Sequence, residues 1–358
     1  RTKSIKSKLS NRQKIISLFS GKRLAIPILI GIGFACYVFF TSYSTETFSE
    51  VSFNQTTLFF FIMTLFMVFL RFFGYAYRLR ILSNNEISWK SSFQIICLWE
   101  FASAITPGIV GGTAVAIGII SQEKNISAGK STAMVMATSY LDVLFYVLAI
   151  PILALFTSIE DQIPSQIGLI SHATVYFYFI FAYALFALWT ILVYIGLFVK
   201  PDLAGGMVLT VFKLPILRKW ESSAVKWNNE ITSSAIELKH QKIMFWMKSF
   251  FSTSIAWVAR FALVNFLVLA LGNGSEVLEI FVKQLVMWGA LLIPITPGAS
   301  GLAELMFTGF LGTYFSSVSL ANVTSIIWRL ISFYPYLLAG VIVLPIWINR
   351  IYRTEHDS

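Results

Sequence analysis

Five basic residues, Arg71, Lys248, Arg260, Lys283 and Arg329, interrupt runs of apolar residues, and so do Glu100, Asp142 and Glu304, with Glu279 nearer an edge. On insertion scales a charge at the centre of a membrane helix costs about 2.5 kcal/mol or more, so such groups face the protein interior and pair. Lys248 stands close to the end of its run, where its long stem can carry the ammonium to water. Arg71 either does the same or stays inside. Arg260, Arg329, Glu100, Asp142 and Glu304 lie too deep for that. Two readings fit this set. Guanidiniums take phosphate oxygens in paired hydrogen bonds while carboxylates hold a cationic amine or a proton. Alternatively, the charges are structural ion pairs that hold the surrounding helices in place.

Two helix breakers stand beside these charges. One block reads Leu98-Trp99, then Thr106-Pro107-Gly108-Ile109-Val110-Gly111-Gly112; the other reads Met287-Trp288, then Thr296-Pro297-Gly298-Ala299-Ser300-Gly301. Proline lacks an N–H and disfavours helix in the residue before it, so helices should stop at Thr106 and Thr296. Glu100 lies six residues before the first stop and Glu304 eight after the second. Glycine lets a ligand phosphate approach the backbone closely, and half-helix N-termini present partial positive charge. The candidate substrate-binding set is therefore Glu100, Thr106, Pro107, Gly108, Gly111, Gly112, Asp142, Arg260, Thr296, Pro297, Gly298, Gly301, Glu304 and Arg329. A tight helix junction is the alternative for one copy of the motif; two copies favour a site.

The elements that position these residues follow from hydropathy. Of the 358 residues 57% are hydrophobic and 12% charged, with a mean hydropathy of +0.75. A soluble domain carries about twice that charged share. Crossing the hydrocarbon takes about 20 apolar residues. Six stretches suffice, near 24–43, 57–77, 128–157, 168–199, 243–271 and 322–349. Regions 91–120 and 277–315 are cut by the Thr-Pro-Gly blocks into pieces too short to span, and each is expected to be a re-entrant hairpin of two half-helices.

Loop charge sets direction, because cytoplasmic loops are rich in Lys and Arg. The arm 1–23 and the segments 78–90, 121–130, 200–242 and 350–353 hold 22 of the 27 basic residues. Segments 44–56, 158–167, 272–276 and 316–321 hold none, but carry Glu46, Glu50, Glu160, Asp161 and Glu276. Both termini are thus expected in the cytoplasm, with hairpin 91–120 entering from inside and hairpin 277–315 from outside. Such inverted repeats of broken helices meeting at the midplane are a secondary-transporter pattern. The predicted fold class is an all-α integral membrane protein with about six full transmembrane helices and two oppositely oriented re-entrant hairpins. It forms one domain over 24–350, between the basic arm 1–23 and a cytoplasmic tail 351–358.

The remaining chemistry is sparse. The net charge of +10 belongs to the membrane surface and needs no nucleic acid. His172, His240 and His356 have no partner at metal-ligand spacing, no Walker lysine loop is present and no Gly-x-Ser-x-Gly elbow occurs. No cofactor and no enzymatic activity are expected. Cys36 and Cys97 sit in apolar runs and read as packing residues rather than a disulfide. No cleavable signal peptide is expected, since the first apolar stretch follows a basic arm. Segment 200–242, with Pro201, Pro215, Trp220, Trp227 and several lysines, reads as amphipathic helices on the inner surface.

The chain resembles the transmembrane region of lysylphosphatidylglycerol synthases, a flippase-like family. The likeness rests on Arg71, Arg78, Thr106-Pro107-Gly108 with Gly111-Gly112, and Asp142. It extends to Pro294-Ile295-Thr296-Pro297-Gly298-Ala299-Ser300-Gly301 with Glu304, and to Trp328-Arg329 ahead of Tyr334-Pro335. It implies lipid movement in a bacterial cytoplasmic membrane. Two departures stand out: Thr138 and Ser139 occupy places where relatives often carry a Glu-Arg pair, and no soluble aminoacyl-transfer domain is expected. The expected function is a lipid transporter or flippase whose partners are membrane lipids with an anionic or aminoacylated headgroup. The alternatives are a lipid-modifying membrane enzyme or its scaffold, and an ion-coupled solute carrier. The lipid, the energy source and the presence of a homo-oligomer stay open.

Overall fold

The structure, a computed structural model, describes residues 53–354 except 107, 125, 168, 204, 207–220, 292–298 and 300, together with 33, 40 and 51. The arm 1–23 lies outside the described residues, as do Cys36, His356, Pro107 and the second Thr-Pro-Gly block at 296–298. So does the expected first span, apart from Gly33 and Phe40.

The chain is mostly helical. Helix α1 covers Gln55–Leu82, α2 Trp89–Ile105, α3 Gly108–Ile120 and α4 Ala128–Leu153. Helix α5 covers His172–Tyr194 and ends in a π turn at Ile195–Val199. There follow α6 Glu221–Lys239, α7 Ile243–Leu271, α8 Val277–Ala290, α9 Leu302–Leu311, α10 Val318–Ser332 and α11 Tyr334–Thr354. A two-residue strand pair, Gln166–Ile167 with Ile170–Ser171, and short 3-10 turns are the departures from α-helix among the described residues. Five segments are long and apolar enough to cross a membrane: Gln55–Leu82, Ala128–Leu153, His172–Val199, Ile243–Leu271 and Val318–Ile351. They match the five later stretches read from the sequence.

Helix starts are set by short polar side chains that take up an orphan N–H. Asn54 accepts from Thr57, Ser88 from Ser91, Ser127 from Lys130, Ser171 from Thr174 and Ser317 from Leu320. Helix α1 runs on to Leu82, so Arg78, expected in a loop, is inside a helix and only 4% exposed. The last span is also not one helix. Phe333 leaves helical geometry between α10 and α11, because Pro335 removes one N–H and Tyr334 precedes it.

The first break falls where expected. Thr106 is extended, and both its N–H and its hydroxyl donate to the Ala102 carbonyl, at 3.0 and 2.6 Å. The second helix stops earlier than Thr296: α8 ends at Ala290, since Pro294 has no N–H to return to that carbonyl. Ala299 and Gly301, at φ 54° and 88°, turn the chain into α9. Gly301 suits the left-handed backbone because it has no Cβ.

Helices α1 and α7 pack most extensively. Gly74 permits the crossing: a Cβ there would lie 3.0 Å from Ala256 Cβ and from the Ser252 carbonyl. The Ser252 hydroxyl donates to the Gly74 carbonyl at 2.7 Å. One core cluster gathers around α2, α3, the start of α4 and α11; the other around the end of α4, α5, the later half of α7, and α8 and α9. At one end, Arg350 of α11 bonds Ser91 of α2 and Glu123 just past α3, tying three elements together. Helix α6 caps α4 there: Glu230 accepts from the Gly129 N–H at 3.1 Å and Trp227 donates to Thr132 at 3.0 Å.

Candidate functional site

A cavity of about 460 Å³ opens between the two core clusters, lined from α1, α2, α3, α4, α5, α7, α8, α9, α10 and α11. Residues four and seven apart share a helix face. Arg71, Tyr75 and Arg78 therefore present one face of α1 to the cavity, and Trp257, Arg260 and Val264 present one face of α7.

Each deep carboxylate meets an arginine. Arg71 Nη2 donates to Glu100 Oε2 at 2.9 Å, and its Nη1 reaches the Ser332 carbonyl at 3.5 Å. That carbonyl is freed by the α10–α11 break, since Tyr336 N–H bonds Phe333 instead. Arg78 grips Asp142 with both terminal nitrogens, at 2.5 and 3.2 Å, and also touches Thr253 at 3.2 Å. Trp257 Nε1 donates to the same carboxylate at 2.7 Å. Arg329 Nε lies 3.3 Å from Glu304 Oε1, with both side chains buried. The other Glu304 oxygen accepts from Gly301 N–H at 2.7 Å, so the α9 N-terminus is occupied by the chain's own carboxylate. Tyr rings flank Arg71 and Arg78, and Phe333 flanks Arg329 at 3.7 Å.

Arg260 differs. Its guanidinium lies 4.1 Å from the Trp288 ring centre and 5.2 Å from that of Trp257. Among the described residues no carboxylate stands within ion-pairing distance of it. Aromatic faces hold a cation without neutralising it, so the charge stays available to an anion entering the cavity.

Of the residues picked from sequence, Glu100, Thr106, Asp142, Arg260 and Arg329 line this cavity. Glu304 stands behind Arg329, and Gly301 holds Glu304. Gly112 faces α2: a Cβ on it would come within 2.1 Å of Ser103 Oγ and 2.7 Å of Ser103 Cα. Gly108 and Gly111 lie in the same helix. Pro107, Thr296, Pro297 and Gly298 fall outside the described residues. Arg71, left open between surface and interior, is 3% exposed and inside. Lys248 is exposed, and Lys283 lies 4.9 Å from the Tyr314 ring, away from the cavity lining. The candidate set omitted Arg78, Tyr75, Trp257 and Tyr336. The seven-residue spacing of Arg71 and Arg78 was the available signal. Trp99 and Trp288, each just ahead of a break, both reach the lining, as do Thr138 and Ser139.

Residues 24–340 match the lysylphosphatidylglycerol synthase TM region family. The chain belongs to this family. A UPF0104 membrane protein of Archaeoglobus fulgidus is 25% identical over 279 residues, covering 75% of this chain and 80% of its relative. No solved structure matches the chain. Membership in the lysylphosphatidylglycerol synthase TM region family accords with a membrane protein whose work concerns lipids.

Proposed function

We propose that the protein is a transporter rather than an enzyme, and that it moves a phospholipid between leaflets of a bacterial cytoplasmic membrane with its headgroup in the central cavity. Arg260 carries this reading: a cation without a carboxylate partner among the described residues, braced by two indoles, facing a cavity of about 460 Å³. That volume falls within the roughly 300–1,000 Å³ of small-ligand sites, enough for a headgroup while the acyl chains remain in lipid.

The hairpins give the cavity its place. With both termini in the cytoplasm, α2–α3 is a re-entrant hairpin from the inside and α8–α9 one from the outside. The packed pair α1 and α7 then run in opposite directions, each leading into its own hairpin. Arg71 and Arg260 sit at similar distances from the starts of these two helices. An inverted repeat of this kind supports alternating access around a fixed midplane site.

The test is lipid translocation in proteoliposomes, read by quenching of a headgroup-labelled phospholipid in the outer leaflet. Arg260→Ala should slow translocation by about tenfold or more, equivalent to about 1.4 kcal/mol, while the purified protein stays monodisperse. Undiminished movement by that variant would remove the assignment. Unchanged lipid composition during the assay separates transport from chemistry.

A further inference from the structure

We infer that the cargo of this site is a lipid phosphodiester carrying a single net negative charge, an inference that rests on the transport reading and narrows it. Among the described residues, the cavity and its immediate backing hold four guanidiniums, on Arg71, Arg78, Arg260 and Arg329, and three carboxylates, on Glu100, Asp142 and Glu304. Each carboxylate is already bound to an arginine. Among the described residues one positive charge is left over, and geometry assigns it to Arg260. The undescribed stretch 292–298 reads Leu-Ile-Pro-Ile-Thr-Pro-Gly and adds no ionisable group.

Charge balance then selects the ligand. In a low-dielectric interior an uncompensated charge is strongly unfavourable, and the favoured occupant neutralises it. A phosphodiester with an uncharged alcohol headgroup brings one negative charge. A zwitterionic headgroup also brings an amine, and no unpaired carboxylate among the described residues is there to receive it. A headgroup with net positive charge would add repulsion to a cavity already positive. Hydrogen bonding agrees: Arg260 offers a planar fork of donors suited to phosphate oxygens. Arg71 Nε has no hydrogen-bond partner among the described residues. Thr138, Ser139 and Ser103 supply hydroxyls in the wall for an uncharged alcohol.

The experiment measures binding of short-chain lipids to the full chain in neutral detergent by thermal shift and titration. Phosphatidylglycerol, phosphatidylethanolamine, lysyl-phosphatidylglycerol and phosphatidic acid are compared, with soluble glycerophosphoglycerol as a further arm. Phosphatidylglycerol should bind about tenfold tighter than the zwitterionic and cationic lipids, about 1.4 kcal/mol. Arg260→Gln, which makes the cavity neutral, should erase that preference. Glu100→Gln, which adds a second surplus charge, should move the preference towards phosphatidic acid. A merely structural role for either residue would lower all affinities together and leave their order intact, and that outcome overturns the proposal. So does equal or tighter binding of the zwitterionic or cationic lipid to the native chain. Glycerophosphoglycerol binding as tightly as the lipid would overturn the lipid cargo in favour of a soluble diester. If the charge order holds but nothing crosses the bilayer in proteoliposomes, transport fails and the ligand assignment stands. If lipids cross without regard to charge, the reverse is true.

Discussion

Asp142 receives three hydrogen bonds, two from Arg78 and one from Trp257. Asp142→Asn leaves Arg78, 4% exposed, facing a neutral amide. Removing one member of a buried ion pair costs about 3–5 kcal/mol, whereas replacing both by apolar groups of similar volume is often neutral. Asp142→Asn should therefore lower the thermal midpoint in detergent markedly, and Arg78→Met with Asp142→Leu should recover most of it. An unchanged midpoint in the single variant would show that the pair does not hold α1 to α4. Sequence spacing made Asp142 visible, because a carboxylate in an apolar run has few other uses. It hid Arg78: hydropathy places the end of α1 where polar residues begin, but the helix continues for another turn and keeps the arginine inside. Exposure decides such a residue, and exposure depends on Asp142 of α4 and Thr253 of α7, more than sixty residues away in sequence.

Breaks in helices were legible to different degrees. Thr106 ends α2 as Pro107 requires, and its own side chain doubles the terminating hydrogen bond. The break before Pro335 was not foreseen, because the apolar run is continuous through it and hydropathy cannot see a missing N–H. Among the glycines, Gly112 and Gly118 look alike in sequence, both on α3, yet a Cβ at Gly112 would overlap Ser103 while one at Gly118 meets open space. Gly112→Val should force α2 and α3 apart, with an overpacking cost of about 1–3 kcal/mol. Gly118→Ala should be neutral or slightly stabilising, since alanine favours helix by about 1 kcal/mol over glycine. Fluorescence-detected size-exclusion after a heat step distinguishes them; equal losses would mean that the close approach of α2 and α3 is unimportant.

For the whole molecule, loop charge remains the guide to orientation. Moving Arg78 from loop to interior lowers the basic content of one expected cytoplasmic segment but leaves the opposite loops free of Lys and Arg. Leu169, fully exposed between the short strands, lies on the expected outer side, and Lys239, at the end of α6, on the inner. With Cys36 and Cys97 replaced by alanine, Leu169→Cys should react with an impermeant maleimide in intact cells and Lys239→Cys only after lysis. Labelling of Lys239→Cys from outside would reverse the orientation and exchange the faces from which the two proposed hairpins enter. Five of the six expected spans and the polar centre could be read from hydropathy and stray charges. The pairing partners could not, since they depend on which helices cross.

The kink before Pro335 also has a mechanical side. From Tyr334 to Arg350, α11 is about 24 Å long at 1.5 Å per residue. Just before its start Arg71 reaches the Ser332 carbonyl of α10, and its other end is clamped by Arg350 to Ser91 and Glu123. A rod of that length swung by about 10° about its kinked end carries its tip through about 4 Å, beyond the span of an ion pair. A lever of this kind would have its fulcrum at the cavity wall, with Pro345 inside it as a second point of bending. A small rotation at the cavity wall would then release the Arg350 clasp at the far rim.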